Sequence, residues 1–72
     1  MKYNVLLLGS GGREHALAWG ISKSSTLDQL FIAPGNPGTA ACGENVSLDV
    51  SNVDEVWEFI QQKNIHLTVV GP

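Results

Sequence analysis

The sequence predicts an α/β fold: a parallel sheet of about four strands with flanking helices. Short apolar runs alternate with stretches of helical periodicity. The first run, Val5-Leu6-Leu7-Leu8, is apolar at consecutive positions, as in a strand covered on both faces. It ends in Gly9-Ser10-Gly11-Gly12, and a helical pattern follows at once.

The first strand is expected over residues 3–8 and the first helix over 12–24. Ala16, Leu17, Gly20 and Ile21 share one face of that helix and are expected to pack inward. Gly20 lowers helix propensity by about 1 kcal/mol. It marks either a close helix–sheet crossing or a plain cost. A second strand fits residues 29–33, which places Asp28 before it. Pro34-Gly35-Asn36-Pro37-Gly38 must be irregular. A short third strand is expected over 45–48. Ser51 and Asp54 have the spacing of a capping box. Val53, Val56, Trp57 and Ile60 then form the stripe of an amphipathic second helix. Asn64 suits its end, and residues 66–70 read as a fourth strand closed by Gly71-Pro72.

Composition bounds the function. At 72 residues there is room for one small domain, residues 1–72, and too little for a complete multi-substrate enzyme. Hydrophobic residues make up 43% and charged residues 15%, so the chain should fold. A net charge of −3 argues against nucleic acid or an anionic membrane surface as partner. No apolar run nears the roughly 20 residues that span a bilayer, and the start does not read as a signal peptide. The single cysteine, Cys42, cannot form an internal disulfide and has no metal-ligand companion. A cytoplasmic protein is expected. The chain stops directly after a strand with no covering helix, which predicts a truncated piece of a larger protein.

The glycine loop is the strongest chemical signal. Glycines let the backbone approach a ligand, and the helix that follows offers unpaired N–H groups and a positive dipole end. Phosphate or nucleotide binding is therefore expected, with Ser10 and Arg13 as further donors. The bland reading is a tight turn. The dinucleotide fingerprint fits Gly9 and Gly11, but its third position is Glu14. The acidic residue expected after the second strand is missing too, which disfavours NAD. No Walker loop is present.

Three blocks together are more specific. Gly9-Ser10-Gly11-Gly12-Arg13-Glu14-His15-Ala16-Leu17-Ala18-Trp19, then Ala33-Pro34-Gly35-Asn36-Pro37-Gly38-Thr39, then Leu67-Thr68-Val69-Val70-Gly71-Pro72 occur in this order. They closely resemble the start of the phosphoribosylamine–glycine ligases, or glycinamide ribonucleotide synthetases, and the resemblance runs over the whole chain. Gly20 departs from the pattern without touching any catalytic position.

The resemblance implies a Rossmann-like, pre-ATP-grasp N-terminal domain of an ATP-grasp ligase of purine biosynthesis. Its substrates would be 5-phosphoribosylamine and glycine, and its cofactors ATP and Mg²⁺. The ATP-grasp domains that bind these cofactors would lie beyond Pro72, so the chain alone is expected to bind neither, to hold no catalytic or metal-ligating residue and to be inactive. The expected phosphate- and ribose-binding residues are Gly9, Ser10, Gly11, Gly12, Arg13, Glu14, Pro34, Gly35, Asn36, Gly71 and Pro72. In an open α/β sheet these loops converge at the carboxyl ends of the strands.

Individual roles stay open. Arg13 is either a phosphate partner or a solvated first-turn residue. Glu14 either holds ribose hydroxyls or merely suits the helix dipole. Asn36 either holds a hydroxyl or shapes its turn. His15 reads as a packing or domain-contact residue rather than a substrate contact, Trp19 as a packing residue rather than one facing the missing domains, Trp57 as a packing residue on the core stripe, and His66 as structural. Asp54, Glu55 and Glu58 read as a solvated face. Two alternatives stand beside the ligase reading. One is a free-standing Rossmann-like nucleotide- or phosphate-binding module without catalysis. The other is a bare folding unit that self-associates through an exposed sheet edge.

Overall fold

Val5, Leu6 and Leu7 are all buried because β1 (Tyr3–Gly9) lies inside the sheet, where neither face is free. The computed structural model describes residues 2–9 and 11–70. Among these, β1, β2 (Leu27–Pro34), β3 (Glu44–Asn45) and β4 (Leu67–Val70) form one sheet in the order β3-β2-β1-β4, with every pairing parallel. Helix α1 (Gly12–Ser22) and helix α2 (Val53–Gln62) cover opposite faces. The sheet is therefore the middle of three layers, as the sequence predicts.

Side chains alternate across the sheet with period two. Val5, Leu7, Leu30 and Ile32 point to the α1 side and meet Ala18, with Ile21 and Cys42 packed around them. Leu6, Phe31 and Ala33 point to the α2 side and meet Phe59, flanked by Val56, Ile60 and Ile65. Phe31 and Phe59 make an edge-to-face pair with ring centroids 5.3 Å apart.

The facing of both helices differs from expectation. In α1 the buried residues are Glu14 and Ala18, with Ile21 half-buried, a spacing of i, i+4, i+7. Ala16, Leu17 and Gly20 face outward. A Cβ on Gly20 would meet nothing within 4 Å, so this glycine is a plain cost and no close crossing exists. In α2, Val56, Phe59 and Ile60 face the sheet, while Val53 and Trp57 are 78% and 60% exposed. The Phe31 ring selects Phe59 as its partner and so rotates Trp57 off the core. Trp19, 58% exposed, is not a packing residue either; the Lys23 ammonium sits 4.9 Å from its ring centre.

Element ends also shift. Helix α1 stops at Ser22 rather than residue 24, and Ser24 turns the chain by bonding the Thr26 hydroxyl at 2.9 Å. Strand β2 starts at Leu27, which places Asp28 inside it, and runs through the cis Ala33–Pro34 peptide. Strand β3 is shorter than expected and earlier in the chain. The cap of α2 is Asn52, whose Oδ1 accepts from the Glu55 N–H at 3.1 Å. Ser51 instead donates its N–H and hydroxyl to Asp49 Oδ1, at 3.0 and 2.6 Å. These two bonds hold the Asp49 carboxyl below its ordinary pKa. Asn64 closes α2 in the left-handed region, at φ 54°. His66 is structural: its Nδ1 accepts from the Asn4 N–H at 3.0 Å and its own N–H donates to the Asn4 carbonyl at 2.9 Å.

Candidate functional site

The strand order puts the reversal of winding between β1 and β4, where open α/β sheets bind ligands at the carboxyl ends. Leu8 pairs with Val70 and Gly9 with Pro34, so the ends of β1, β2 and β4 lie side by side. The loops after β1 and β2 meet there. Ser10, Gly71 and Pro72, also expected at this site, lie outside the described residues.

Gly9 has φ 154° and Gly35 has φ 75°, conformations that L side chains rarely adopt. The Gly35 N–H donates to the Gly9 carbonyl at 3.1 Å. Gly11 caps α1 without a side chain, and its carbonyl accepts from the N–H groups of Glu14 and His15 at 3.1 and 3.2 Å. The same carbonyl accepts from the Asn36 side-chain amide at 3.3 Å. Gly12 and Arg13, at the start of the helix, carry N–H groups with no intrahelical acceptor.

Asn36 shapes its turn. Its Oδ1 accepts from the Thr39 N–H at 3.0 Å, and its N–H donates to Thr39 Oγ1 at 2.8 Å. Thr39 is fully buried, and its hydroxyl lies 2.7 Å from Asn45 Oδ1. The Asn45 amide donates to the Asn36 carbonyl at 2.8 Å. Sequence reasoning missed Thr39 and Asn45. The Asn36-x-x-Thr39 spacing, which is that of a side-chain cap, was the available signal for Thr39. Asn45 carried none, because its partners come from the fold. His15 stands against the same loop: a Cβ on Gly38 would lie 3.0 Å from its Nδ1.

Glu14 is the unexpected element. It is only 5% exposed, while Arg13 and His15 beside it are exposed. Its side chain folds back under the glycine loop. A Cβ on Gly9 would overlap Glu14 Cγ and lie 2.6 Å from Oε1, and one on Gly11 would lie 3.2 Å from Oε2. The carboxylate thus occupies the floor where a dinucleotide pyrophosphate would rest. Two unit charges 4 Å apart repel by about 4 kcal/mol at an effective dielectric constant near 20. That exceeds the roughly 2 kcal/mol at most that a helix N-terminus contributes to an anion.

Among the described residues no group of three or more His, Cys, Asp and Glu could hold a metal ion, and Cys42 packs against the core. No helix among them is long and apolar enough to cross a membrane.

Residues 3–72 match the family described as phosphoribosylglycinamide synthetase, N domain. A phosphoribosylamine–glycine ligase of Rhodopirellula baltica is 51% identical over 71 residues, covering 99% of this chain and 16% of the relative. One of Mesorhizobium japonicum is 59% identical over 69 residues, covering 96% and 16%. One of Haemophilus influenzae is 48% identical over 71 residues, covering 96% and 17%. The chain spans about one sixth of the length of these curated relatives. By the family match and these identities, the chain belongs to the phosphoribosylglycinamide synthetase N-domain family.

Proposed function

We propose that this chain is the N-terminal, substrate-binding part of an ATP-dependent ligase that joins 5-phosphoribosylamine to glycine. In the reaction proposed for the whole enzyme, ATP phosphorylates the glycine carboxylate. The amine then attacks the acyl phosphate, releasing phosphate and leaving glycinamide ribonucleotide and ADP. This chain contributes the phosphoribosyl end of the site. The substrate phosphate binds at the N–H groups of Gly12 and Arg13, with the Arg13 guanidinium as counter-charge. The ribose lies across Gly9, Gly11 and the Pro34–Asn36 turn. Ser10, Gly71 and Pro72 are kept among the binding residues in this reading because they belong to the matched blocks.

ATP and Mg²⁺ belong to the ATP-grasp segments of the longer ligase. The described residues offer no metal-ligand cluster, so no step involving Mg²⁺ is assigned to them. The chain alone is proposed to be inactive and to work in the cytoplasm.

The observation that carries the reading is the joining of the two matched loops, Asn36 to Gly11 at 3.3 Å and Gly35 to Gly9 at 3.1 Å, at the edge where β4 also ends. The buried Glu14 disfavours a free-standing dinucleotide module, because its carboxylate lies where the pyrophosphate would. Titration with ribose 5-phosphate, followed by amide NMR, tests the site. Shifts confined to residues 9–14 and 34–36 are expected. Shifts elsewhere, or none, would remove the assignment. Formation of glycinamide ribonucleotide by the chain alone, given ATP, Mg²⁺ and both substrates, would overturn its proposed inactivity.

A further inference from the structure

We propose that the groove beside β4 on the α1 face of the sheet seats an apolar segment of the longer ligase that is remote in sequence, and not the unit that directly follows β4. This rests on the reading of the chain as part of a longer ligase.

Strand β4 has one neighbour, β1, in the order β3-β2-β1-β4. Its Leu67 and Val70 are 56% and 71% exposed. Parallel sheets ordinarily have both faces covered. Here each face leaves a groove toward β4. On the α2 face a groove of about 280 Å³ lies between Leu8 of β1 and the Val53 and Trp57 side of the helix. On the α1 face a groove of about 390 Å³ is lined by Tyr3, Val5, Ile21, Leu27, His66 and Leu67. This second groove lies at the amino ends of β1, β2 and β4, away from the glycine loops at their carboxyl ends.

Handedness gives the two grooves different covers. The β1-α1-β2 unit steps to one side and carries its helix on one face. The β3-α2-β4 connection steps back past β2 and β1 and carries its helix on the other face. Reversing both direction and face keeps one hand, the right-handed one. A further β-α-β unit that adds a strand beside β4 steps the same way as β3-α2-β4. Its helix therefore lands on the α2 face, over Trp57. The sheet then separates it from the groove on the α1 face, which needs an occupant from elsewhere. The chain spans about one sixth of the curated relatives, so most of such a ligase remains to supply one.

The lining defines the chemistry of that occupant. Tyr3, Val5, Ile21, Leu27 and Leu67 call for aliphatic or aromatic side chains. Among the described residues no Lys, Arg, Asp or Glu lines the groove, so a charged side chain seated there would be buried unpaired. His66 adds one polar demand. Its Nδ1 accepts from the Asn4 N–H at 3.0 Å, so the proton of the neutral ring sits on Nε2. The occupant brings an acceptor for that proton, such as a backbone carbonyl.

The test is hydroxyl-radical footprinting, read by mass spectrometry, of the chain alone and of the longer ligase. Tyr3 and Leu67, 41% and 56% exposed in the chain alone, should be oxidised about fivefold or more slowly in the longer ligase. Unchanged rates at both residues overturn the proposal, even where Trp57 slows, and leave the ligase reading standing. This comparison needs no variant. Thr26→p-benzoylphenylalanine, on the exposed rim, then identifies the occupant by photo-crosslinking. Capture of a peptide from beyond the unit that directly follows β4 is expected. Capture of that unit, or of a second copy of the ligase, overturns the proposal. A gene in which this chain is not joined to a longer ligase overturns the proposal and the ligase reading together.

Discussion

The side-chain amide of Asn36 donates to the carbonyl oxygen of Gly11 at 3.3 Å, although the residues stand 25 positions apart. This bond and the Gly35-to-Gly9 bond join the loops after β1 and β2. The glycine loop therefore depends on the Pro34–Gly38 segment for its shape, and the hydroxyl of Thr39 anchors that segment.

Replacing Thr39 with Val keeps the volume and deletes the hydroxyl. The Asn36 N–H then loses its acceptor, and the Asn45 amide oxygen loses the hydroxyl beside it. The variant should lose about 1–3 kcal/mol in urea denaturation. Its ribose 5-phosphate affinity should fall with it. A variant as stable as the parent would show that the Thr39 hydroxyl is not the anchor.

Two glycine substitutions should act in opposite directions. Gly20→Ala lies on an exposed helix face with free space, so it should stabilise the chain by about 0.5–1 kcal/mol. Gly9→Ala combines an unfavourable φ with overlap on Glu14, so it should destabilise by more than that amount. Thermal unfolding of the two variants side by side decides it; a stabilised Gly9→Ala would contradict the packing of Glu14.

The two large aromatics of α2 should differ sharply. Phe59→Ala empties a core position and should cost about 3–5 kcal/mol. That rivals the whole stability of a domain this size, roughly 4–11 kcal/mol. Trp57→Ala removes a mostly exposed ring and should cost about 1 kcal/mol or less. Equal losses in denaturant titrations would mean that α2 is rotated from its described orientation.

Asp49 is held below its ordinary value of 3.8 by the Ser51 hydroxyl first and the Ser51 N–H second. Its stabilising contribution is present above the unfolded value and is lost as pH falls through the lower folded value. A carboxyl NMR titration should place the Asp49 midpoint below 3.8, and Ser51→Ala should raise it. An unchanged midpoint in Ser51→Ala would assign the shift to another cause.

Much of the fold was legible in the sequence. Consecutive apolar residues at 5–8 called for an interior strand, and Asn64 for a helix end, because each depends on local rules. The first two blocks fall in the loops after β1 and β2, which the structure joins through Asn36–Gly11 and Gly35–Gly9. The remainder depended on contacts between segments remote in sequence. At 3.6 residues per turn, Val53, Val56, Trp57, Phe59 and Ile60 spread over an arc of about 160° on α2, wide enough that periodicity alone could not say which edge of it lies innermost. Phe31, on β2, selected it by packing against Phe59. Likewise the sequence alone left Glu14 and Asn36 each with two roles. Only the tertiary structure committed Asn36 to Gly11 and Thr39 and turned Glu14 beneath Gly9. A side chain's partners are set by which backbone groups the fold brings within about 3 Å, and here those groups come from different loops.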